Sequence, residues 1–316
     1  MSTRRLVVAV SAAAAASTLS AAPATAAPAP GAYVALGDSF SAGSGIAPQT
    51  PSGICGRSAV NYPTLVAREL GIDTVRDVTC GAAESENLAG PQTGLGGGVA
   101  APQFDALGPD TTLVTLGIGG NDIQLVQLAA GCISVLPAPL TPSCSDRPDT
   151  YSDRIDAFAA TYDTILDEIA RRAPAAQVVM VGYPTGIRPG GCLDSQPVRP
   201  ADATYLQARI DQLNSVMSRA AAAHDATFVD LAPTTRDHDV CAADSWMVGA
   251  VPTSPDAVVP LHPTAESHEN TAREIVAALR WRTVHDRPPR STAAVGHRAH
   301  SVGRLLRTVR LGDCVT

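Results

Sequence analysis

The sequence predicts an α/β domain in which helices cover both faces of a parallel β-sheet. Short apolar runs of strand length alternate with longer segments whose apolar residues recur at helical spacing. Several apolar runs end at glycines, which allow the chain to turn. Because such alternation builds parallel sheets, we expect a ligand site at the carboxyl ends of the strands.

Five strands are predicted from short apolar or β-branched runs. They cover residues 33–36, 74–78, 112–116, 177–181 and 227–229. The first is followed directly by Gly37 and the third by Gly117, which indicates a tight turn at each carboxyl end.

Helices are predicted between these strands and after the last one, at residues 62–70, 151–172, 201–223 and 264–279. Gly71 closes the first, Pro174 follows the end of the second, and Pro263 precedes the last. Three segments rich in Gly, Pro, Ser and Thr are predicted as loops around the site, at residues 47–57, 90–98 and 131–149.

The amino terminus, residues 1–26, is predicted to be a secretory signal peptide. Arg4 and Arg5 precede an apolar run at residues 6–19, which is too short to span a bilayer, and residues 24–26 fit an A-x-A cleavage site. A core helix is the alternative interpretation of this alanine-rich run. We expect a secreted, extracellular monomer with its catalytic domain at residues 27–280.

Charge is distributed unevenly along the chain. The net charge is −7, yet residues 31–280 hold 28 acidic and 14 basic side chains while residues 281–316 hold 2 and 7. The acidic body argues against nucleic-acid binding. We interpret residues 281–316 as a basic, disordered tail. The alternative is that this tail makes weak contact with an anionic cell surface.

Four short motifs carry the residue types that acyl transfer requires. Ser39 in the sequence GDSFS supplies a hydroxyl nucleophile, and His262 in LHP supplies a general base. Backbone N–H groups at Ser39 and Ala82, together with the Asn121 amide in GGND, supply oxyanion donors. Ser39 alone could be an ordinary turn residue and Asn121 a helix cap. The four motifs together, each in a loop at a predicted strand end or before a helix, predict a serine hydrolase.

The chain has seven cysteines. The first six pair most simply as neighbours along the sequence, and Cys314 is left over. The simplest pairs are Cys55–Cys80, Cys132–Cys144 and Cys192–Cys241, although spacing does not prove them. A zinc site is the competing interpretation, and the absence of any C-x-x-C pair disfavours it.

These motifs resemble those of the SGNH, or GDSL, hydrolase family, in particular its secreted actinobacterial lipases and esterases. The resemblance covers residues 31–280 and includes the sequence VMVGYP at residues 179–184. It implies a flavodoxin-like three-layer α/β/α fold around a parallel five-stranded sheet. It also implies three sequential disulfides among the six cysteines, and a mechanism with no metal or cofactor. The implied roles are Ser39 as nucleophile, Asn121 as oxyanion donor and His262 as base.

Two positions depart from the family pattern. Ala82 stands where the family usually has the oxyanion glycine, and its N–H can serve if the backbone angles permit. Val259 stands three residues before His262, where the family often has aspartate; Asp256 is the nearest acid on that side of His262. We therefore expect the Val259 backbone carbonyl to orient His262.

The functional expectation is a secreted serine esterase or lipase that hydrolyses carboxylic esters through an acyl-serine intermediate. The alternatives are a carbohydrate esterase that deacetylates a polysaccharide and a non-catalytic binding protein that keeps the scaffold. An apolar acyl pocket favours the lipase, and an open polar groove favours the carbohydrate esterase. The expected partner is an ester or lipid substrate.

Overall fold

A computed structural model of the protein describes residues 31–94, 96–134, 140 and 142–285. The predicted signal peptide and most of the predicted tail, including Cys314, lie outside the described residues. Across the described ranges, no helix combines the length and apolar character that crossing a membrane requires.

The strands are β1 (Ala32–Gly37), β2 (Val75–Asp77), β3 (Gln92–Thr93), β4 (Val99–Ala100), β5 (Thr111–Gly117), β6 (Gln177–Val181) and β7 (Thr227–Val229). Five of them form one parallel sheet in the order β2-β1-β5-β6-β7, while β3 and β4 pair as a separate antiparallel hairpin. Counting the main-sheet strands alone, this is the 2-1-3-4-5 order of flavodoxin-like folds. The predicted five-stranded parallel sheet is confirmed.

The helices are α1 (Ser39–Ala42), α2 (Tyr62–Leu70), α3 (Glu86–Ala89), α4 (Leu125–Cys132), α5 (Thr150–Ala157), α6 (Ala159–Arg172), α7 (Pro200–Ala223), α8 (Ala232–Thr235) and α9 (Ala265–His285). Short 3₁₀ turns lie at Gly53–Cys55, Gln103–Ala106 and Arg236–His238.

Alternate residues of the strands face two separate cores. On one face, Tyr33 and Ala35 of β1 pack with apolar residues of α2 and α9. On the other face, Val34 and Leu36 pack with residues of α4, α5, α6 and α7. Since successive strand residues point to opposite sides, one continuous apolar run supplies both cores. The result is the expected three-layer α/β/α arrangement.

The prediction of one continuous helix at residues 151–172 is wrong. The chain forms two helices, α5 and α6, which meet at Phe158. The Phe158 ring packs edge-on against Tyr162, with ring centroids 4.8 Å apart. It also lies so close to Gly119 that a Cβ there would be 3.0 Å from the ring. A tertiary contact of this kind overrides the uninterrupted helical pattern.

The sheet order places the predicted chemical motifs beside one another. β1 lies between β2 and β5, so the segments after all three strands meet at one edge. Ser39 follows β1, Ala82 follows β2, and Asn121 follows β5. In open parallel sheets the point where strand order reverses, here between β1 and β5, is where ligands bind.

Candidate active site

Ser39 is the first residue of α1, immediately after β1. The turn depends on Gly37, where φ is 156° and a Cβ would lie 2.5 Å from the Gly117 carbonyl oxygen. Asp38 then caps α1, because its Oδ1 accepts a hydrogen bond of 2.9 Å from the Phe40 N–H. The turn and the cap together hold Ser39 at the strand end, where its side chain is mostly buried.

Ser39 and His262 are 223 residues apart in sequence and in hydrogen-bond contact in the structure. Ser39 Oγ lies 2.8 Å from His262 Nε2, and His262 Nδ1 lies 2.8 Å from the Pro260 carbonyl oxygen. A carbonyl oxygen can accept but not donate, so the neutral ring carries its proton on Nδ1. Nε2 is therefore the acceptor for the Ser39 hydroxyl proton, which is the geometry a general base requires.

The expectation that the Val259 carbonyl orients His262 is wrong, because the acceptor is the carbonyl of Pro260. The cause is the residue between Pro260 and His262. Leu261 has a φ of 62°, in the left-handed region that non-glycine residues rarely adopt. This local reversal of the chain brings the carbonyl two residues before the ring, rather than three, into contact with Nδ1.

The segment that carries His262 is held by a short antiparallel pairing with residues 246–248. Leu261 N–H donates to the Val248 carbonyl at 3.0 Å, and Val248 N–H donates to the His262 carbonyl at 2.8 Å. Thr264 N–H adds a bond of 2.9 Å to the Trp246 carbonyl. These backbone bonds stabilise the turn on both sides of the imidazole.

Two further predicted site residues lie near one another in the loops after β2 and β5. The Asn121 amide Nδ2 donates to the Ala83 carbonyl at 2.8 Å, which leaves its second amide hydrogen for another acceptor. The N–H groups of Gly81 and Ala83 are bonded to other carbonyls, whereas that of Ala82 has no acceptor among the described residues. Ala82 has a φ of 60°, the conformation for which glycine is favoured.

Sequence reasoning missed a buried network behind Ser39. The Tyr183 hydroxyl donates to Asp38 Oδ2 at 2.6 Å and accepts from the Gly120 N–H at 2.7 Å. The buried Gln103 amide bonds both the N–H and the carbonyl of Gly37, at 2.8 and 2.9 Å. Asp38 stands next to Ser39 in GDSFS and Tyr183 is in VGYP, so both residues were visible in the motifs but their contacts were not.

Burial governs the charges at the site. Desolvation raises the pKa of Asp38 to about 7, against the opposing effect of its bonds from Tyr183 and Phe40. Desolvation also lowers the pKa of His262 below its ordinary value, and the bond to the Pro260 carbonyl partly offsets this. A neutral imidazole is the form that can accept the Ser39 proton.

A narrow apolar cleft adjoins the two residues. Phe40 and Leu261, the chain neighbours of Ser39 and His262, both line it, and the Phe40 and His262 ring centroids are 4.8 Å apart. Its remaining walls are largely aliphatic, with Leu125, Leu206 and Ile210 among them. The lining suits an apolar group of a ligand bound beside Ser39.

Three disulfides are present, Cys55–Cys80, Cys132–Cys144 and Cys192–Cys241, and they confirm the predicted sequential pairing. The first joins the loops after β1 and β2, where Gly81 N–H also donates to the Cys55 carbonyl at 2.9 Å. It therefore braces the loop that carries Ala82. Within the described part of the chain, no group of three or more His, Cys, Asp and Glu side chains is placed to hold a metal ion.

A flavodoxin-like sheet that carries a serine–histidine pair at its switch point defines a class of serine hydrolases. Residues 35–269 match the sequence model of the GDSL-like Lipase/Acylhydrolase family, and the chain belongs to that family. Its members hydrolyse acyl esters, so this protein is a carboxylic ester hydrolase.

Named relatives are similar over most of their length. The chain is 38% identical to Lipase 2 of Streptomyces coelicolor over 261 residues, which cover 78% of this chain and 85% of the relative. The crystal structure of phospholipase A1 from Streptomyces albidoflavus matches with a TM-score of 0.66 and 28% identity, over 79% of this chain and 100% of that one. The extracellular lipase of Streptomyces rimosus matches with the same TM-score and identity, over 78% and 99%.

Proposed function

We propose that the protein hydrolyses esters of extended acyl chains with a Ser39–His262 dyad. The observation that carries this proposal is the 2.8 Å contact between Ser39 Oγ and His262 Nε2, with Nδ1 committed to the Pro260 carbonyl. The ring can thus take the serine proton without a change of tautomer.

The reaction has two halves. Ser39 Oγ attacks the ester carbonyl carbon as its proton passes to His262 Nε2, and the tetrahedral oxyanion forms. The N–H groups of Ser39 and Ala82 and the Asn121 amide donate to that oxygen. His262 then protonates the leaving alcohol, and the acyl group stays on Ser39. Water, deprotonated by His262, attacks the acyl-enzyme, releases the carboxylic acid and restores the serine hydroxyl.

The aliphatic lining of the cleft supports a lipase or long-chain esterase over the carbohydrate esterase. A polysaccharide groove needs polar groups and aromatic stacking surfaces, whereas this cleft has Leu, Ile, Val and Met side chains on most of its wall. Secretion belongs to the same proposal. It is supported by the residues 1–26 pattern, by three disulfides of the kind that persist in oxidising compartments, and by the extracellular relative.

Two measurements test the proposal. A fluorophosphonate probe should label the wild type and the control Ser215→Ala, whose hydroxyl lies on the exposed surface of α7, but not Ser39→Ala. Hydrolysis of p-nitrophenyl esters from acetate to palmitate should favour chains longer than acetate, with acetylated xylan a poor substrate. Labelled or active Ser39→Ala would exclude the dyad, and preference for acetylated xylan would favour the carbohydrate esterase.

A further inference from the structure

Leu261 combines two features that occur together at no other position next to the proposed dyad. Its backbone has a φ of 62°, and it immediately precedes His262. Its side chain lines the apolar cleft. Left-handed backbone at a non-glycine residue is unfavourable, and it persists where the surrounding structure requires it.

The reversal at Leu261 explains how His262 reaches its acceptor. In extended chain each residue advances about 3.3 Å, which would carry the carbonyl of the second preceding residue away from the ring. With Leu261 in the left-handed conformation, the Pro260 carbonyl oxygen is instead 2.8 Å from Nδ1. Paired bonds to both backbone groups of Val248 hold the turn in place.

We infer that Leu261 is both a positioning residue for His262, through its left-handed backbone, and a specificity-determining wall of the acyl cleft, through its side chain. The inference rests on the proposed function, because it assigns Leu261 a part in that same reaction. The link means that the residue contacting the acyl chain also sets the turn that orients the general base.

Substitutions can separate the two roles because residue types differ in how they tolerate a positive φ. Glycine adopts it freely and asparagine more readily than most, but both remove the apolar wall. Isoleucine keeps the apolar volume, but its branched Cβ disfavours the left-handed region. Leu261→Gly and Leu261→Asn therefore test the wall, and Leu261→Ile tests the turn.

The assay compares p-nitrophenyl acetate, too short to reach far along the cleft, with p-nitrophenyl decanoate. Leu261→Gly and Leu261→Asn should lower kcat/KM for decanoate about tenfold or more beyond any loss on acetate, the size of one lost apolar contact. Leu261→Ile should lose at least about tenfold in kcat on both esters, with KM little changed, since a misplaced base slows every substrate alike.

Two spectroscopic and kinetic readouts distinguish positioning from a general structural effect. The His262 Nδ1 proton should give a hydrogen-bonded NMR signal in the wild type and in Leu261→Gly, and the signal should weaken or move in Leu261→Ile. The acidic limb of the kcat profile should shift to lower pH in Leu261→Ile, because the Pro260 carbonyl bond raises the pKa of His262. Val258→Gly and Val258→Ile, at an exposed position of the same loop, serve as matched controls and should match the wild type.

The inference is overturned if Leu261→Ile keeps wild-type kcat and pH profile, or if Leu261→Gly and Leu261→Asn lose more kcat on acetate than Leu261→Ile does. It is also overturned if all three variants lose acetate and decanoate turnover equally. Should Leu261→Ile not fold, the Gly and Asn variants still decide through the ratio of decanoate to acetate kcat/KM and through the Nδ1 signal. Failure of the proposed function would appear separately, as activity that survives Ser39→Ala.

Discussion

His268 is a buried base whose removal should change how the stability of the protein depends on pH. It lies on α9, where its Nδ1 accepts a hydrogen bond of 3.0 Å from the Tyr62 N–H and its ring stacks on that of Tyr62. Its Nε2 is buried without a hydrogen-bond partner among the described residues. Burial, with a smaller contribution from His262, lowers the pKa of His268 to about 3.

The sign of the effect follows from the two protonation states. An unfolded histidine titrates near pH 6.5, so between about pH 6.5 and 3 the unfolded chain binds a proton that folded His268 does not. Stability from this residue is complete above pH 6.5 and is lost as the pH falls. At 1.36 kcal/mol per pH unit, the loss reaches about 3 kcal/mol at pH 4.

Asp38 acts in the opposite direction. Its pKa is raised from 3.8 to about 7, so the folded protein binds the extra proton in that interval and stability falls as the pH rises through it. The total is about 4 kcal/mol by the same conversion. The two contributions nearly cancel, which makes the difference between wild type and a variant the informative quantity.

Urea unfolding of wild type and His268→Asn from pH 4 to pH 8 measures this difference. The Asn Oδ1 can keep the bond from the Tyr62 N–H but does not titrate. The unfolding free energy of wild type minus that of His268→Asn should decrease by about 3 kcal/mol from pH 7 to pH 4. Ile275→Val, two turns along α9, is the control and should differ from wild type by about 1 kcal/mol at every pH. A His268→Asn difference that stays constant with pH would refute the reasoning.

Three other predictions follow from the same contacts. Asp256→Asn should lower kcat less than about tenfold, because His262 Nδ1 bonds the Pro260 carbonyl and not a carboxylate. Neutralising a true triad carboxylate lowers kcat about 10⁴-fold. A thousandfold loss for Asp256→Asn in steady-state assays would show that an acid takes part in the mechanism. Ala82→Gly should raise the unfolding free energy by about 0.5–1 kcal/mol, since glycine relieves the cost of the positive φ at residue 82, and a lower melting temperature would contradict this. Replacing the Cys192–Cys241 pair with serines should lower the free energy of unfolding by about 4 kcal/mol, and replacing Cys132–Cys144 should lower it by about 3 kcal/mol, because the first pair closes the longer loop. The reverse order in urea unfolding would exclude this entropic explanation.

The candidate site was predictable where chemistry follows from a short local pattern. Ser39, Asn121 and His262 each stand in a motif of a few residues beside a strand end or helix start, and their residue types limit what they can do. Ala82 was also identified from its motif, but its left-handed backbone conformation was not predicted. Val259 shows the limit of such reasoning, because residue spacing along a loop does not specify which carbonyl faces the imidazole. That depends on one backbone rotation at Leu261.

The sequence by itself determined the α/β class, the positions of the five strands of the main sheet and the residue types at the site. These follow from short-range patterns: apolar runs, helical spacing, turn glycines and motif order. Tertiary structure alone decided the break at Phe158, the carbonyl that orients His262, and the Asp38–Tyr183–Gly120 network. Each of these depends on contacts between residues distant in sequence, where a buried polar group must find its partner or a ring must find space. Local sequence propensity does not specify which distant residues will be in contact.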